Sequence, residues 1–251
     1  MVILKSPKEI EKITASNRIV AKILKTLESE VARGVTTMQL NDLSERLTGE
    51  NQAVPAFKGY RGYPFSLCTS VNHVVVHGFP NDTPLEEGDI VSLDFGILHD
   101  GYYGDAAITV AVGKISAPAM KLMQVTRESL YKGIEKAVPD GRLSDISHAV
   151  QTHVEAHGYS VVRKFVGHGI GSKLHEDPQI PNFGKAGTGV RLKPGMTLAI
   201  EPMVNEKGYE VRILEDGWTA VTEDGALSAH FEHTIAITEK GPVILSRSDG
   251  S

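Results

Sequence analysis

Four acids and one histidine carry the chemistry open to this sequence. Two of the acids end matching segments, Leu85-Glu-Glu-Gly88-Asp-Ile-Val-Ser-Leu-Asp94 and Leu192-Lys-Pro-Gly195-Met-Thr-Leu-Ala-Ile-Glu201, which lie 107 residues apart. Each reads as a turn glycine, an apolar strand and a terminal acid. A second acid follows in each half: Asp105 in Gly-Asp105-Ala-Ala-Ile-Thr-Val and Glu232 in Phe-Glu232-His-Thr-Ile-Ala-Ile. Asp94 and Asp105 flank His99-Asp100-Gly101. A tight hairpin there puts them opposite or diagonal on one face, roughly 5–7 Å apart. Like charges so placed repel, and a shared cation reverses the sign. Taken singly, either Asp is a solvated residue beside a turn. Glu201 closes the apolar run Met196–Ile200 ahead of Pro202, and a carboxylate in such a strand is costly unless it is paired or on a metal. Glu232 has the same problem; an exposed strand face would remove it for both, but they come as a matched pair. His168, in Gly167-His168-Gly169, and His77, in Val-Val-Val-His77-Gly78, both end apolar strands, and His175 follows seven residues after His168.

Four carboxylates and an imidazole make an oxygen-rich site. It suits Mn, Fe, Co or Zn in five- or six-coordinate geometry rather than a closed structural zinc site. An acidic cluster shared by two such ions is a common design for hydrolysis, because it lowers the pKa of a bridging water and polarises a carbonyl. HExxH, Walker, GxSxG and CxxC patterns are absent, so a Ser or Cys nucleophile has no sequence support. His99, His148, His153 and His157 read as surface residues. His73, His230 and His233 flank the motifs and are candidates for a layer behind the site.

The elements that must position these groups follow from periodicity and caps. Ser6-Pro7-Lys8-Glu9 reads as a capping box opening a helix, with Ile10, Ile13, Val20, Ile23, Leu24, Leu27 and Val31 as its apolar stripe and Gly34 as its stop. A second helix is expected from Thr37 to about Gly49. The other half repeats the theme from about Pro118 to Ala137, with Ser144 capping a further helix to about His157. Val31-x-x-Gly34-x-x-Thr37 and Val138-x-x-Gly141-x-x-Ser144 keep the 107-residue offset. Strands are expected at 74–76, 90–93 and 108–112, then at 161–166, 197–200, 211–214, 219–221 and 234–238. Helix pairs that precede runs of strands argue for an α+β protein with a mainly antiparallel sheet. The expectation is two pseudo-symmetric α/α/β/β halves, about 1–113 and 114–251, sharing one curved sheet in a single catalytic domain, 1–251.

Composition narrows the class. The 251 residues are 41% hydrophobic and 23% charged, which suits a globular enzyme. A formal charge of −5 argues against a DNA or RNA binder held by bulk electrostatics. No apolar run is long enough to span a membrane, and the N-terminus lacks a signal-peptide layout. The one cysteine, Cys68, excludes an intrachain disulfide and fits a reducing cytoplasm. The last residues, Arg247 to Ser251, read as a frayed tail.

Taken together, the motifs resemble type I methionine aminopeptidases, metallopeptidases of the pita-bread fold. The likeness runs from Ile10 to about Leu245. It is carried by Asn72-His-Val-Val-Val-His77-Gly, Asp89-Ile-Val-Ser-Leu-Asp94, Gly101-Tyr-Tyr-Gly-Asp105, Gly167-His168-Gly-Ile-Gly171, Lys193-Pro-Gly-Met-Thr-Leu-Ala-Ile-Glu201-Pro-Met-Val and Glu232-His-Thr. The resemblance implies two divalent ions (Co, Mn, Fe or Zn). Asp94 would chelate the first, Asp105 and Glu232 would bridge, and His168 and Glu201 would complete the second. It implies attack by a bridging hydroxide with Glu201 as proton shuttle, His77 on the substrate backbone, and His175 on the carbonyl oxygen as it gains charge. Tyr60, Tyr63, Cys68 and Trp218 fall at the family's methionine-pocket positions. Phe57 and Leu174 do too, where some members carry Cys and Phe, and that departure leaves pocket size open. The substrates implied are nascent polypeptide N-termini with a small second residue, met at the ribosome by a cytoplasmic monomer. X-Pro aminopeptidases and dipeptidases would share the five ligands but carry a large extra N-terminal domain. A type II enzyme would insert helices between His168 and Glu201, where only 32 residues lie. A non-catalytic relative would have lost ligands.

Overall fold

The computed structural model describes residues 2–247; the frayed tail expected over Arg247 to Ser251 lies, past Arg247, outside the described residues. Two helices open the chain, α1 (Pro7–Glu30) and α2 (Thr37–Glu50). The α1 start is the capping box read from the sequence, with the Ser6 N–H donating to the Glu9 carboxylate at 2.8 Å. The α2 helix begins with a second box, Thr36 with Gln39. Five strands follow: β1 (Val54–Pro55), β2 (Leu67–Val71), β3 (Val74–Val76), β4 (Ile90–His99) and β5 (Tyr102–Ala111). The second half starts with α3 (Ala117–Ile134) and α4 (Leu143–Ala156). Its strands are β6 (Ser160–Val161), β7 (Gly167–Gly169), β8 (Glu176–Ile180), β9 (Thr197–Ile200), β10 (Met203–Asn205), β11 (Val211–Ile213), β12 (Ala220–Thr222), β13 (Ser228–His230), β14 (Glu232–Thr238) and β15 (Gly241–Ile244).

Two expectations are corrected. Ser144 does not cap α4. Arg142 occupies that place, with its N–H donating to the Asp145 carboxylate at 2.9 Å, while the Ser144 hydroxyl donates to the Thr188 carbonyl at 2.6 Å. The strand expected over 161–166 survives only as β6. The charged pair Arg163-Lys164 bends the chain outward, and the Arg163 guanidinium lies 4.0 Å from the Tyr209 ring centre.

The main sheet is a curved, antiparallel array of nine strands in the order β1-β4-β5-β14-β9-β7-β8, with β2 also on β4 and β15 also on β14. The halves meet where β5 pairs with β14, Glu232 facing Ala107. Smaller sheets, β13-β10-β6 and β11-β12-β3, extend it.

Strand periodicity sorts the side chains to two faces. Leu93, Phe95 and Ile97 of β4 pack with Val20, Ile23, Leu24 and Leu27 of α1. Leu198 and Ile200 of β9, with Ile235 and Ile237 of β14, pack with Leu130 and Ile134 of α3. Each such side chain contributes about 1.5–3 kcal/mol by leaving water. The alternate residues, Asp94, Glu201 and Glu232 among them, are thereby turned away from the helices. Close approach of α1 depends on Gly104, where an added Cβ would stand 2.7 Å from the Asn17 backbone nitrogen. Among the described residues no helix is long and apolar enough to cross a membrane.

Candidate metal centre and active site

The first pair of acids is placed by a hairpin. Asp100 and Gly101 form its two-residue turn, both with positive φ (47° and 80°), the conformation a tight antiparallel turn requires. The register opposes Asp94 to Ala107 and Gly96 to Asp105. The two carboxylates are therefore diagonal neighbours on one face, one of the two placements the sequence allowed. Glu232 starts β14 beside them, Glu201 follows the end of β9, and His168 sits in the middle of β7. Backbone groups of these residues are pinned by polar side chains. The Thr234 hydroxyl donates to the Asp105 carbonyl at 2.8 Å, the Asp105 N–H donates to Asn17 Oδ1 at 3.3 Å, and Asn182 Nδ2 donates to the Glu201 carbonyl at 2.9 Å.

The electrostatics of this cluster call for positive charge. Asp105, His168 and Glu232 offer ligand atoms all within 4.8 Å of one another, and all three residues are buried. His168 Nε2 lies 3.6 Å from Glu201 Oε1 and 3.9 Å from Asp105 Oδ2. Its Nδ1 lies 2.9 Å from the Gly169 carbonyl, an acceptor, so Nδ1 carries the proton and Nε2 turns a lone pair toward the acids. Asp105 Oδ1 and Glu232 Oε1 are buried with no hydrogen-bond partner among the described residues. Burial pushes Glu201 up to about 8, and pushes Asp94 up to about 7 with help from the Glu201 charge and against the pull of His230. Burial first, then mutual repulsion, drives Asp105 and Glu232 well above the carboxylate range. Burial also lowers His168 to about 4. Acceptors crowded on acceptors, with orphaned oxygens between them, fit divalent cations and fit little else.

The same acids form one end of a cavity of about 160 Å³. Its other walls are Phe57, Tyr60, Tyr63, Cys68, His77, Leu174, His175 and Trp218, so every site residue singled out from the sequence lines it. Tyr63 is buried, its hydroxyl donating to the Gly78 carbonyl at 3.0 Å, and its ring meets Trp218 edge-on at 5.2 Å. Cys68 pairs with Asp94 across β2 and β4, and burial, then the Asp94 charge, pushes its thiol well up, so it stays protonated. His175 Nδ1 is 2.8 Å from the Tyr60 hydroxyl, and its ring centre is 4.2 Å from that of His168. Burial, then the nearby imidazoles of His230 and His175, lowers His77 to about 4; burial, then His168 and the Arg61 guanidinium, lowers His175 to about 3, so both rings are neutral at pH 7.

Sequence reasoning missed one residue of the site and underweighted another. Arg61, at the cavity wall, has φ of 50° and sets its guanidinium 5.4 Å from the Tyr60 ring centre; only Gly59 and Gly62, on either side of Tyr60-Arg61, hinted at such a turn. His230 was grouped with the flanking histidines, yet its Nε2 stands 3.6 Å from Glu201 Oε2. His99 is not the surface residue expected, since its Nδ1 is buried without a hydrogen-bond partner among the described residues. His153 is also partly buried, its Nε2 3.2 Å from Glu128.

Fold and site together define a metal-dependent hydrolase. The family described as metallopeptidase family M24 matches residues 11–239. The methionine aminopeptidase of Clostridium perfringens is 52% identical over 246 residues, 98% of this chain and 99% of that one. Methionine aminopeptidase 1 of Bacillus subtilis is 52% identical over 247 residues, 98% and 100% of the two chains. Among solved structures, methionine aminopeptidase from Thermotoga maritima superposes with a TM-score of 0.97 at 49% identity, covering 99% of this chain and 100% of that one. A prolidase from Pyrococcus furiosus reaches 0.81 at 24% identity, covering 98% of this chain but 66% of its own, and shares the fold alone. The chain belongs to metallopeptidase family M24 and, within it, to the methionine aminopeptidases.

Proposed function

We propose that the protein removes the N-terminal methionine from peptides and nascent chains whose second residue is small. Its two halves would act as a single catalytic domain, a monomer working in the cytoplasm at the ribosome. One observation supports this above the others: the acid cluster and the aromatic, sulfur-bearing pocket are two ends of one cavity. Asp94, Asp105, His168, Glu201 and Glu232 would hold two divalent ions (Co, Mn, Fe or Zn). When bound, such ions supply a Lewis acid for the peptide carbonyl and a water of lowered pKa.

The chain's own residues do the rest. The Glu201 carboxylate would take a proton from the attacking water and hand it to the leaving amine. With the Tyr60 hydroxyl donating to His175 Nδ1 across their 2.8 Å contact, the ring proton would sit on Nε2, which would donate to the carbonyl oxygen as charge develops there. His77 would contact the substrate backbone beside the scissile bond. Tyr63, Trp218 and Cys68 give the thioether ring edges and a sulfur to pack on, and Phe57 and Leu174 set the pocket's remaining width.

The test is a peptidase assay with metal-reconstituted protein on Met-Ala-Ser, beside Ala-Pro-Ala and a Glu201→Ala control. Methionine is expected from Met-Ala-Ser and not from the variant. Cleavage of Ala-Pro-Ala alone would move the reading to a proline-specific relative. Silence on both peptides with metal bound would turn it into a binding protein.

A further inference from the structure

His230 ends β13 directly behind the acid cluster, with its side chain 1% exposed. Neither of its ring nitrogens has a hydrogen-bond partner among the described residues. Buried polar atoms without partners are costly and few in a folded protein. The backbone holds the ring where it is. The His230 N–H donates to Thr109 Oγ1 at 2.9 Å, the Thr109 hydroxyl donates to the His230 carbonyl at 2.8 Å, and β13 pairs Met203 with His230. From that fixed place Nε2 faces Glu201 Oε2 at 3.6 Å.

Glu201 needs such a partner. Pro202 follows it and lacks an N–H, so the strand cannot continue pairing through that residue. Asn182 holds the Glu201 main-chain carbonyl, not its side chain. Among the described residues no donor lies within hydrogen-bond range of the Glu201 carboxylate, and its Oε1 faces the lone pair of His168 Nε2 at 3.6 Å.

We infer that His230 is a positioning residue for Glu201: its Nε2–H donates to Oε2, fixes the carboxylate's rotation, and leaves Oε1 for the proton that Glu201 moves. A closure of about 0.4 Å brings the pair into normal N–H···O range, and hydrogen bonds of this kind tighten as a site is occupied. The inference rests on Glu201 as the proton carrier.

The experiment compares wild type, His230→Leu and His230→Gln by steady-state kinetics on Met-Ala-Ser with Mn²⁺, and by calorimetric titration of each metal-free protein with Mn²⁺. The leucine variant is expected to lose about 10- to 100-fold in kcat with KM within about threefold, and to bind Mn²⁺ more weakly. The glutamine variant, whose amide can donate to Oε2, is expected to recover most of both. A leucine variant within twofold of wild type in kcat and Mn²⁺ affinity overturns the inference, as does a glutamine variant equally impaired. Should the leucine variant not fold, His230→Asn replaces it: its amide is too short to reach, so it must fall where glutamine recovers. If wild type releases no methionine, the proposed function fails by itself. The titration then still decides on His230, which is supported if Glu201→Gln and His230→Leu weaken Mn²⁺ binding alike and refuted if His230→Leu leaves it unchanged.

Discussion

The two halves deliver their acids by different routes. In the first, Asp94 and Asp105 lie on adjacent strands joined by a two-residue turn, and β4 runs unbroken from Ile90 to His99. In the second, β9 stops at Ile200, because Pro202 cannot donate to the ladder, and 30 residues separate Glu201 from Glu232. Asp94 and Glu201 keep the 107-residue offset, but Asp105 and Glu232 stand 127 apart. The added chain includes the β11–β12 hairpin, whose turn is held by Asp216 accepting from the Trp218 and Thr219 N–H groups, both at 2.8 Å. That hairpin pairs with β3 and sets Trp218 against Tyr63. The shared part of the halves thus builds the acid cluster, and the part that differs builds a pocket wall.

Breaking the symmetry at its acids has the largest expected effect. Glu201→Gln should lower kcat by about 10²- to 10⁴-fold, the usual worth of a positioned acid–base group. Asp94→Asn, its counterpart, should act through cation affinity, so that raised Mn²⁺ restores part of the rate; steady-state kinetics across a metal titration separates the two. Cation removal comes next. Mn²⁺ at a hundred times its Kd should stabilise the metal-free protein by about 2.7 kcal/mol, or roughly 5–10 °C in Tm for a chain of this size. An unchanged melt with and without chelator would contradict the centre. The metal-free protein should also lose stability as pH rises from about 4.5 toward 8. With Glu201 raised from 4.5 to about 8, the folded state binds a proton there that the unfolded chain has released. Denaturant melts across that window should show the fall, and Mn²⁺ should flatten it.

Trp218→Ala tests the asymmetric wall. It should reduce kcat/KM for a methionine substrate by about 10- to 200-fold, the range for a changed apolar pocket. Its preference for methionine over smaller residues should fall with it. The two helix pairs offer the finest comparison. In the first half the sheet makes room for the helix backbone at Gly104, whereas in the second the helix makes room for side chains at Gly133, where a Cβ would stand 2.8 Å from Val150 Cγ2. Gly104→Ala should cost about 1–3 kcal/mol. Gly133→Ala should stay within about 1 kcal/mol of neutral, since a helical alanine gains roughly what the side chains lose by shifting. Urea unfolding of both variants reads the difference.

What was legible in the sequence was local. The Ser6–Glu9 box marked the start of α1, and the Asp100-Gly101 turn fixed which residues of β4 and β5 share a face. The apolar run before Glu201 marked a strand with a carboxylate at its end. What failed depended on contacts distant in sequence. Ser144 has the right chemistry for a cap, but Thr188, 44 residues away, takes its hydroxyl. Val161–Val166 has the composition of a strand, but Arg163 finds the Tyr209 ring instead. The β8 strand went unseen because it contains Pro178 and no apolar alternation, and β13 because three residues carry no period.

The sequence by itself determined which acids and imidazoles are candidates for a metal centre and the faces they share within each strand, because side-chain type and a period of two are properties of the local chain. Only the tertiary structure decided how close His168, Glu201 and Glu232 come to the first hairpin and that one cavity joins them to the aromatic pocket. It alone also set His230 against Glu201. Those distances arise from pairing strands tens to more than a hundred residues apart, and that register is set by the packing of both helix layers on one sheet.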